Sequence, residues 1–157
     1  MIIDALTFLW NAAALTATAV STNCYDTGAP PVTGAPVNDL GTGKAMCFAI
    51  AITTAPNCAT GDETYEFDII SSTVGDLSTN LAYIAKYSWT NAQALASLLA
   101  GTLLILPFPP MNSQVQRFLG LKYVAAGTGP SMTVTAWITT MDMVQTYRAL
   151  GSAIIVL

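Results

Sequence analysis

The sequence predicts an all-β protein: an antiparallel β-sandwich or jelly roll with an extended N-terminal arm and a C-terminal tail. Three observations lead there. Several short runs alternate in side-chain character with period two, connections rich in proline and glycine separate them, and a single stretch, residues 91–100, reads as a helix. The connections are mostly too short for parallel crossovers, so roughly six to eight antiparallel strands folded into two layers is the economical architecture. The 157 residues suit one domain. We divide them into an arm (1–14), a β-sandwich (15–141) and a tail (142–157).

The arm is apolar, with Ile2, Ile3, Leu6, Phe8 and Trp10, and has no partner in its local pattern. Residues 15–23 are almost wholly Ala, Thr, Ser and Val and lean towards strand. Residues 25–43 form a long loop containing Gly28-Ala29-Pro30 and Gly34-Ala35-Pro36, where fixed φ values and missing amides oppose both helix and central strand. Residues 44–53 alternate in size rather than polarity: Met46, Phe48, Ile50 and Ile52 on one face, Ala45, Cys47, Ala49 and Ala51 on the other. A strand apolar on both faces belongs in the middle of a sheet, covered on both sides.

Residues 64–70 set Tyr65, Phe67 and Ile69 against Thr64, Glu66 and Asp68, the pattern of a half-buried strand. Residues 81–89 repeat it, with Tyr83, Tyr87 and Trp89 on one face and Lys86 and Ser88 on the other. The helix follows, capped by Asn91 and closed by Gly101. Residues 102–106 are an apolar strand stopped by Pro107, Pro109 and Pro110. Residues 117–125 and 131–140 are strands joined through Ala126-Gly127-Thr128-Gly129-Pro130, and residues 143–157 are a tail ending in Ala153-Ile154-Ile155-Val156-Leu157.

Composition narrows the function. The chain has no histidine, 9% charged residues, 53% hydrophobic residues and a net charge of −4. So few ions cannot dress an ordinary solvated surface, which implies an exterior covered by neighbours. Lys44, Lys86, Arg117, Lys122 and Arg148 are scattered, which argues against nucleic acid. The apolar runs are too short or too interrupted to span a membrane, and Asp4 stands where a signal peptide would be basic. Cys24, Cys47 and Cys58 fit no zinc spacing and read as reduced thiols of a chain made in a reducing cytoplasm.

Without histidine, the usual general base and the commonest transition-metal ligand are both missing, so neither an enzyme nor a metal or cofactor site is expected. Glu66 and Asp68 could form a carboxylate pair for hydrolysis or calcium, but a solvated strand face explains them better. Gly41-Thr42-Gly43-Lys44 fails as a phosphate loop, because Asn38 stands where its first glycine should be and Ala45 follows the lysine. Tyr83, Tyr87 and Trp89 could stack a sugar, which keeps a carbohydrate-binding module or adhesin as the alternative function; an aromatic ladder filling the sandwich is the plainer reading.

Several segments in order resemble the small capsid cement proteins of tailed bacteriophages, typified by the Bordetella phage cement protein. They are Met1-Ile2-Ile3-Asp4, the run 15–23, Asp39-Leu40-Gly41-Thr42-Gly43, Leu106-Pro107-Phe108-Pro109-Pro110, Arg117-Phe118-Leu119-Gly120-Leu121-Lys122-Tyr123 and Gly127-Thr128-Gly129-Pro130. The chain departs from that family in the loop 25–40 and in the apolar tail beyond Tyr147. The resemblance implies a jelly-roll-like fold, dimerisation, no enzyme activity and no cofactor. It places the protein on the outer surface of a virion, where it would bind an HK97-type major capsid protein and clamp neighbouring capsomers. On this reading the contact residues are Ile2, Ile3, Leu6, Phe8, Trp10, Tyr147, Ile154, Ile155 and Leu157, and the partners are the major capsid protein and a second copy of the chain.

Overall fold

A computed structural model describes residues 8–28, 45–108, 115–148 and 154–156. Its organising strand is β4 (Met46–Thr54). Phe48, Ile50 and Ile52 enter the main core, while Cys47 and Ala49 enter a smaller cluster on the opposite face of the same sheet. The alternation in size thus fills two layers at once, as a strand buried on both sides requires.

The first sheet runs β1 (Phe8–Leu15), β9 (Met132–Thr140), β4, β7 (Leu103–Pro107) and β10 (Ile154–Val156). The second runs β2 (Ala19–Val20), β8 (Phe118–Ala126), β5 (Thr64–Ser72) and β6 (Ala82–Thr90), with β3 (Tyr25–Asp26) also paired to β8. The orders β1-β9-β4-β7 and β2-β8-β5-β6, with the chain crossing repeatedly between layers, are the winding of a jelly roll. Among the described residues every pairing is antiparallel except β10 on β7.

Between the layers lie Trp10, Phe48, Tyr65, Phe67, Leu104, Leu121, Tyr123 and Val134. Trp10 meets Phe67 edge-on at 6.3 Å, and Trp89 meets the same ring at 6.1 Å, geometries in which ring edges approach ring faces. Phe48 stacks on Phe108 at 4.8 Å, fastening the end of β7 over β4.

The structure corrects the element reading in four places. Residues 8–14, read as part of an arm without a partner, join Leu15 in β1 against β9; that partner lies more than a hundred residues away, so no local pattern could reveal it. The helix α1 (Asn91–Ser97) is shorter than expected, and its cap is Thr90 rather than Asn91: the Thr90 amide donates to the Gln93 side chain at 2.9 Å. The tail contains a helix, α2 (Met141–Arg148), and the strand β10. Because β9, β7 and β10 all run the same way, β9-α2-β10 is a parallel crossover, the connection that parallel strands need. The fourth correction is in β6. Ile69 pairs with Ala85 but Ile70 pairs with Tyr83, so Ile84 is an extra residue and Tyr83 changes face. Most of the loop 25–43 lies outside the described residues.

Candidate interaction surface

The outer side of the second sheet carries a cluster of charged side chains. Residues paired across a sheet point to the same face, so Asp68 on β5 is flanked by Lys86 on β6 and Lys122 on β8. Glu66 lies one step along, and the bulge at Ile84 carries Tyr83 into the same row. Lys86 Nζ donates to Glu66 Oε1 at 3.2 Å and lies 3.8 Å from Asp68 Oδ2. Lys122 Nζ donates to the Tyr83 hydroxyl at 2.6 Å. Both ammonium groups also lie near the Tyr83 ring, at 4.8 Å and 5.0 Å from its centroid.

These neighbours close over Asp68, which has no solvent exposure, while Tyr83 remains 46% exposed. Burial, reinforced by the neighbouring Glu66 carboxylate, pushes Asp68 up to about 6 against the pull of Lys86 and Lys122. The Lys86 ammonium is correspondingly held above its ordinary value, first by its bond to Glu66 and then by the charge of Asp68. A solvated strand face was the expected reading of Glu66 and Asp68; Asp68 is instead buried, enclosed by two lysines and a phenol from the neighbouring strands.

One end of the sandwich is fastened by a second acidic group. Glu63 is buried and accepts from the amides of Thr60 and Gly61, both at 2.9 Å, and from Asn91 Nδ2 at 2.7 Å. The Thr60 amide foremost, with the Thr60 hydroxyl and the Gly61 amide, holds its carboxyl down to about 2. Asp62 accepts from the Thr128 amide at 3.1 Å and from its hydroxyl at 3.0 Å. Asn91, expected as a helix cap, therefore ties α1 to the β4–β5 turn, and Thr128 ties the β8–β9 turn to the same place. At the opposite end Arg117 grips Asp26 with two bonds, of 2.7 Å and 2.8 Å. Among the described residues no group of three or more His, Cys, Asp or Glu side chains could hold a metal ion.

The expected contact residues do not share one surface. Trp10 is a core residue, 2% exposed, and so is corrected from surface to interior. Phe8 is half-buried and packs 6.5 Å from the Trp137 ring, in the smaller cluster beneath α2. Ile154 and Ile155 sit on β10 opposite Leu103 and Leu104, and Tyr147 lies on α2. Ile2, Ile3, Leu6 and Leu157 fall outside the described residues. Among the described residues β1 and β10 are thus opposite edges of one sheet.

The aromatic trio considered for sugar stacking is divided. Trp89 is in the core, Tyr87 packs against it, and Tyr83 stands on the other face. The sequence does mark Glu66, Asp68 and Lys86 through period two, but Tyr83 depends on a bulge and Lys122 on a pairing between distant strands. All three cysteines are free thiols, and burial pushes Cys47 up to about 11.

Fold and composition define the class: an all-β jelly-roll sandwich poor in charged residues. The chain belongs to the Bbp16 family, a Bordetella phage protein family, whose model matches residues 9–151. No curated protein matches it.

Proposed function

We propose that this chain is a structural virion protein without enzyme activity. In this reading it is a capsid cement or decoration protein that binds the outside of an HK97-type major capsid shell and stabilises it by bridging capsomers. Membership of a phage protein family supports the setting. The observation that supports the bridging role is that, among the described residues, β1 and β10 form opposite edges of one sheet. A protein whose attachments leave from opposite edges can hold two neighbours at once. Its scarcity of charge lowers the desolvation cost of being covered, since burying Lys or Glu costs several kcal/mol each while Thr, Ser and Asn cost far less.

Apolar burial at about 25 cal/mol per Å2 supplies the attraction, and a second attachment by a molecule already held at one edge is intramolecular, which lowers its entropic cost. The test is co-sedimentation with purified shells of full-length protein and of chains lacking residues 1–7 or 152–157. Each truncation is expected to lower occupancy while leaving the circular dichroism of the sandwich unchanged apart from the loss of β10 in the second. Folded truncated chains that both bind like the full-length protein would reject the assignment.

A further inference from the structure

Only 5 of the 157 residues are cations, and the side chains of Lys86, Arg117 and Lys122 lie within the described residues. Arg117 is gripped by Asp26, and Lys86 is held by Glu66 with Asp68 behind it. Lys122 differs. Its Nζ donates at 2.6 Å to the Tyr83 hydroxyl, a neutral group, and among the described residues it forms no ion pair. A phenol that accepts from an ammonium keeps its own O–H to donate, and the ammonium keeps two further N–H groups. The Tyr83 ring is fixed between Lys86 and Lys122, whose Nζ atoms lie 4.8 Å and 5.0 Å from its centroid, and it is 46% exposed.

Asp68 lies beneath, with no exposure, and as a carboxylate it receives no hydrogen bond on either oxygen. Glu66 and Asp68 on β5, Lys86 on β6 and Lys122 on β8 are the only charged residues of these three strands. With Asp68 neutral, two ammonium groups face one carboxylate and the cluster carries one positive charge. We propose that Lys122 and Tyr83 form a receptor for one carboxylate side chain, carried by an acidic segment of a partner protein lying across the outer face of the second sheet. This rests on the reading of the chain as a part covered by neighbours and names the chemistry of one such contact.

Charge and shape select this occupant. Small-molecule sites are concave and enclose most of their ligand, whereas a sheet face is open, so a group that binds here is delivered by a larger surface. A carboxylate brings one negative charge to the one ammonium without a counter-ion, and its two oxygens accept from Nζ and from the phenol, bonds strengthened by charge. A phosphate dianion would bring a second charge against Glu66 and Asp68. Asp68 also gates the site. Burial and the adjacent Glu66 keep it neutral up to about pH 6; once ionised it cancels the net positive charge, and an arriving carboxylate then faces two fixed ones. Affinity should therefore fall as pH rises through this value.

The probe is a short end-blocked peptide of alternating glycine and glutamate, titrated at low salt into the isotopically labelled full chain and followed by NMR, with its glutamine counterpart and inorganic phosphate as controls. The amide signals of Tyr83, Lys86 and Lys122 are expected to shift with the glutamate peptide at pH 5.5, and the dissociation constant to rise about threefold at pH 8, the size of one exposed charge interaction. Asp68→Asn should show no such weakening. Lys122→Gln should lose the binding while the rest of its spectrum keeps the parent fold. No response to the glutamate peptide, an equal response to the glutamine peptide, tighter binding of phosphate, or undiminished binding by Lys122→Gln overturns the receptor; weakening at pH 8 that persists in Asp68→Asn overturns the gate. The site and the cement reading fail separately: a chain that coats shells but ignores the peptide loses only the site, and one that binds the peptide but never coats shells loses only the cement role.

Discussion

Asp68 and Lys86 face each other in register on the outer side of the second sheet, with Nζ 3.8 Å from an Oδ2 that no solvent reaches. The pair is unequal. Lys86 is satisfied by Glu66 and largely exposed, whereas Asp68 is enclosed beneath Tyr83 and two lysines. The enclosure favours the neutral acid, and only the partly screened ammonium groups oppose it.

Stability should therefore fall as pH rises through this carboxyl. Its folded value, about 6, exceeds the ordinary 3.8, so between these values the folded chain holds more protons than the unfolded one. The loss begins near pH 4 and is complete above pH 6. Asp68→Asn removes it. The variant should gain on the order of 1 kcal/mol over the parent at pH 8, after discounting for solvent around the lysines, and little at pH 4. Urea midpoints at the two pH values measure this; a gain of equal size at both would show that packing, not ionisation, is responsible.

Gly127 sits in the β8–β9 turn at φ +97°, where an added Cβ would lie 2.6 Å from the Asp62 carbonyl oxygen and 2.7 Å from the Glu63 Cα. Neither backbone atom can swing aside. Gly127→Ala should cost about 3 kcal/mol or more, combining left-handed strain with the clash. Gly61, at φ +84° with open space around its missing side chain, isolates the conformational part, and Gly61→Ala should cost about 1 kcal/mol. Denaturation of the two variants side by side checks the difference; similar losses would mean that the turn yields.

Trp10 was expected at a partner surface and is found in the core against Phe67. Trp10→Ala should cost about 3–5 kcal/mol of folding stability, the usual result of emptying a large buried site. Shell binding should be lost only in proportion to the unfolded fraction. A variant as stable as the parent but unable to bind would return Trp10 to the contact surface.

What the sequence disclosed follows the range of the forces involved. Alternation within β4 and β5 is local, so Phe48, Ile50, Tyr65 and Phe67 were legible as core, and the jelly-roll class with them. β1 was not, because its hydrogen-bonding partner β9 is at the other end of the chain. Tyr83 was placed on the wrong face by one inserted residue, since period two carries no memory across a bulge. Thr90 displaced Asn91 as the helix cap because Gln93 three residues on completes a capping box, a signal present in the sequence. Glu63 gave no sign: its donors come from its own turn and from α1, brought together only by the fold.

Glu63 supplies the opposite pH dependence to Asp68. Its folded value, about 2, lies below the ordinary 4.5, so its contribution is complete above pH 4.5 and vanishes as pH falls towards 2. Asp26, Asp62 and Asp76 are shifted downward as well, chiefly by hydrogen bonds from Arg117, Thr60 and Ser78 respectively, and lose stability in the same acid range. Acid thus removes the fastenings of both ends of the sandwich, while a rise through pH 6 charges the enclosed Asp68 on its face. The contributions of these groups together are greatest near pH 4–5, where the turn carboxylates are largely ionised and Asp68 is still largely neutral. Glu63→Gln should destabilise the chain at pH 7, because its amide nitrogen cannot accept from both Gly61 and Asn91 as Oε2 does. The gap should close as pH approaches 2, where the parent carboxyl is itself protonating. Urea midpoints at pH 7, 4 and 2 follow the closure; an undiminished gap at pH 2 would mean that Glu63 holds the turns by shape rather than charge.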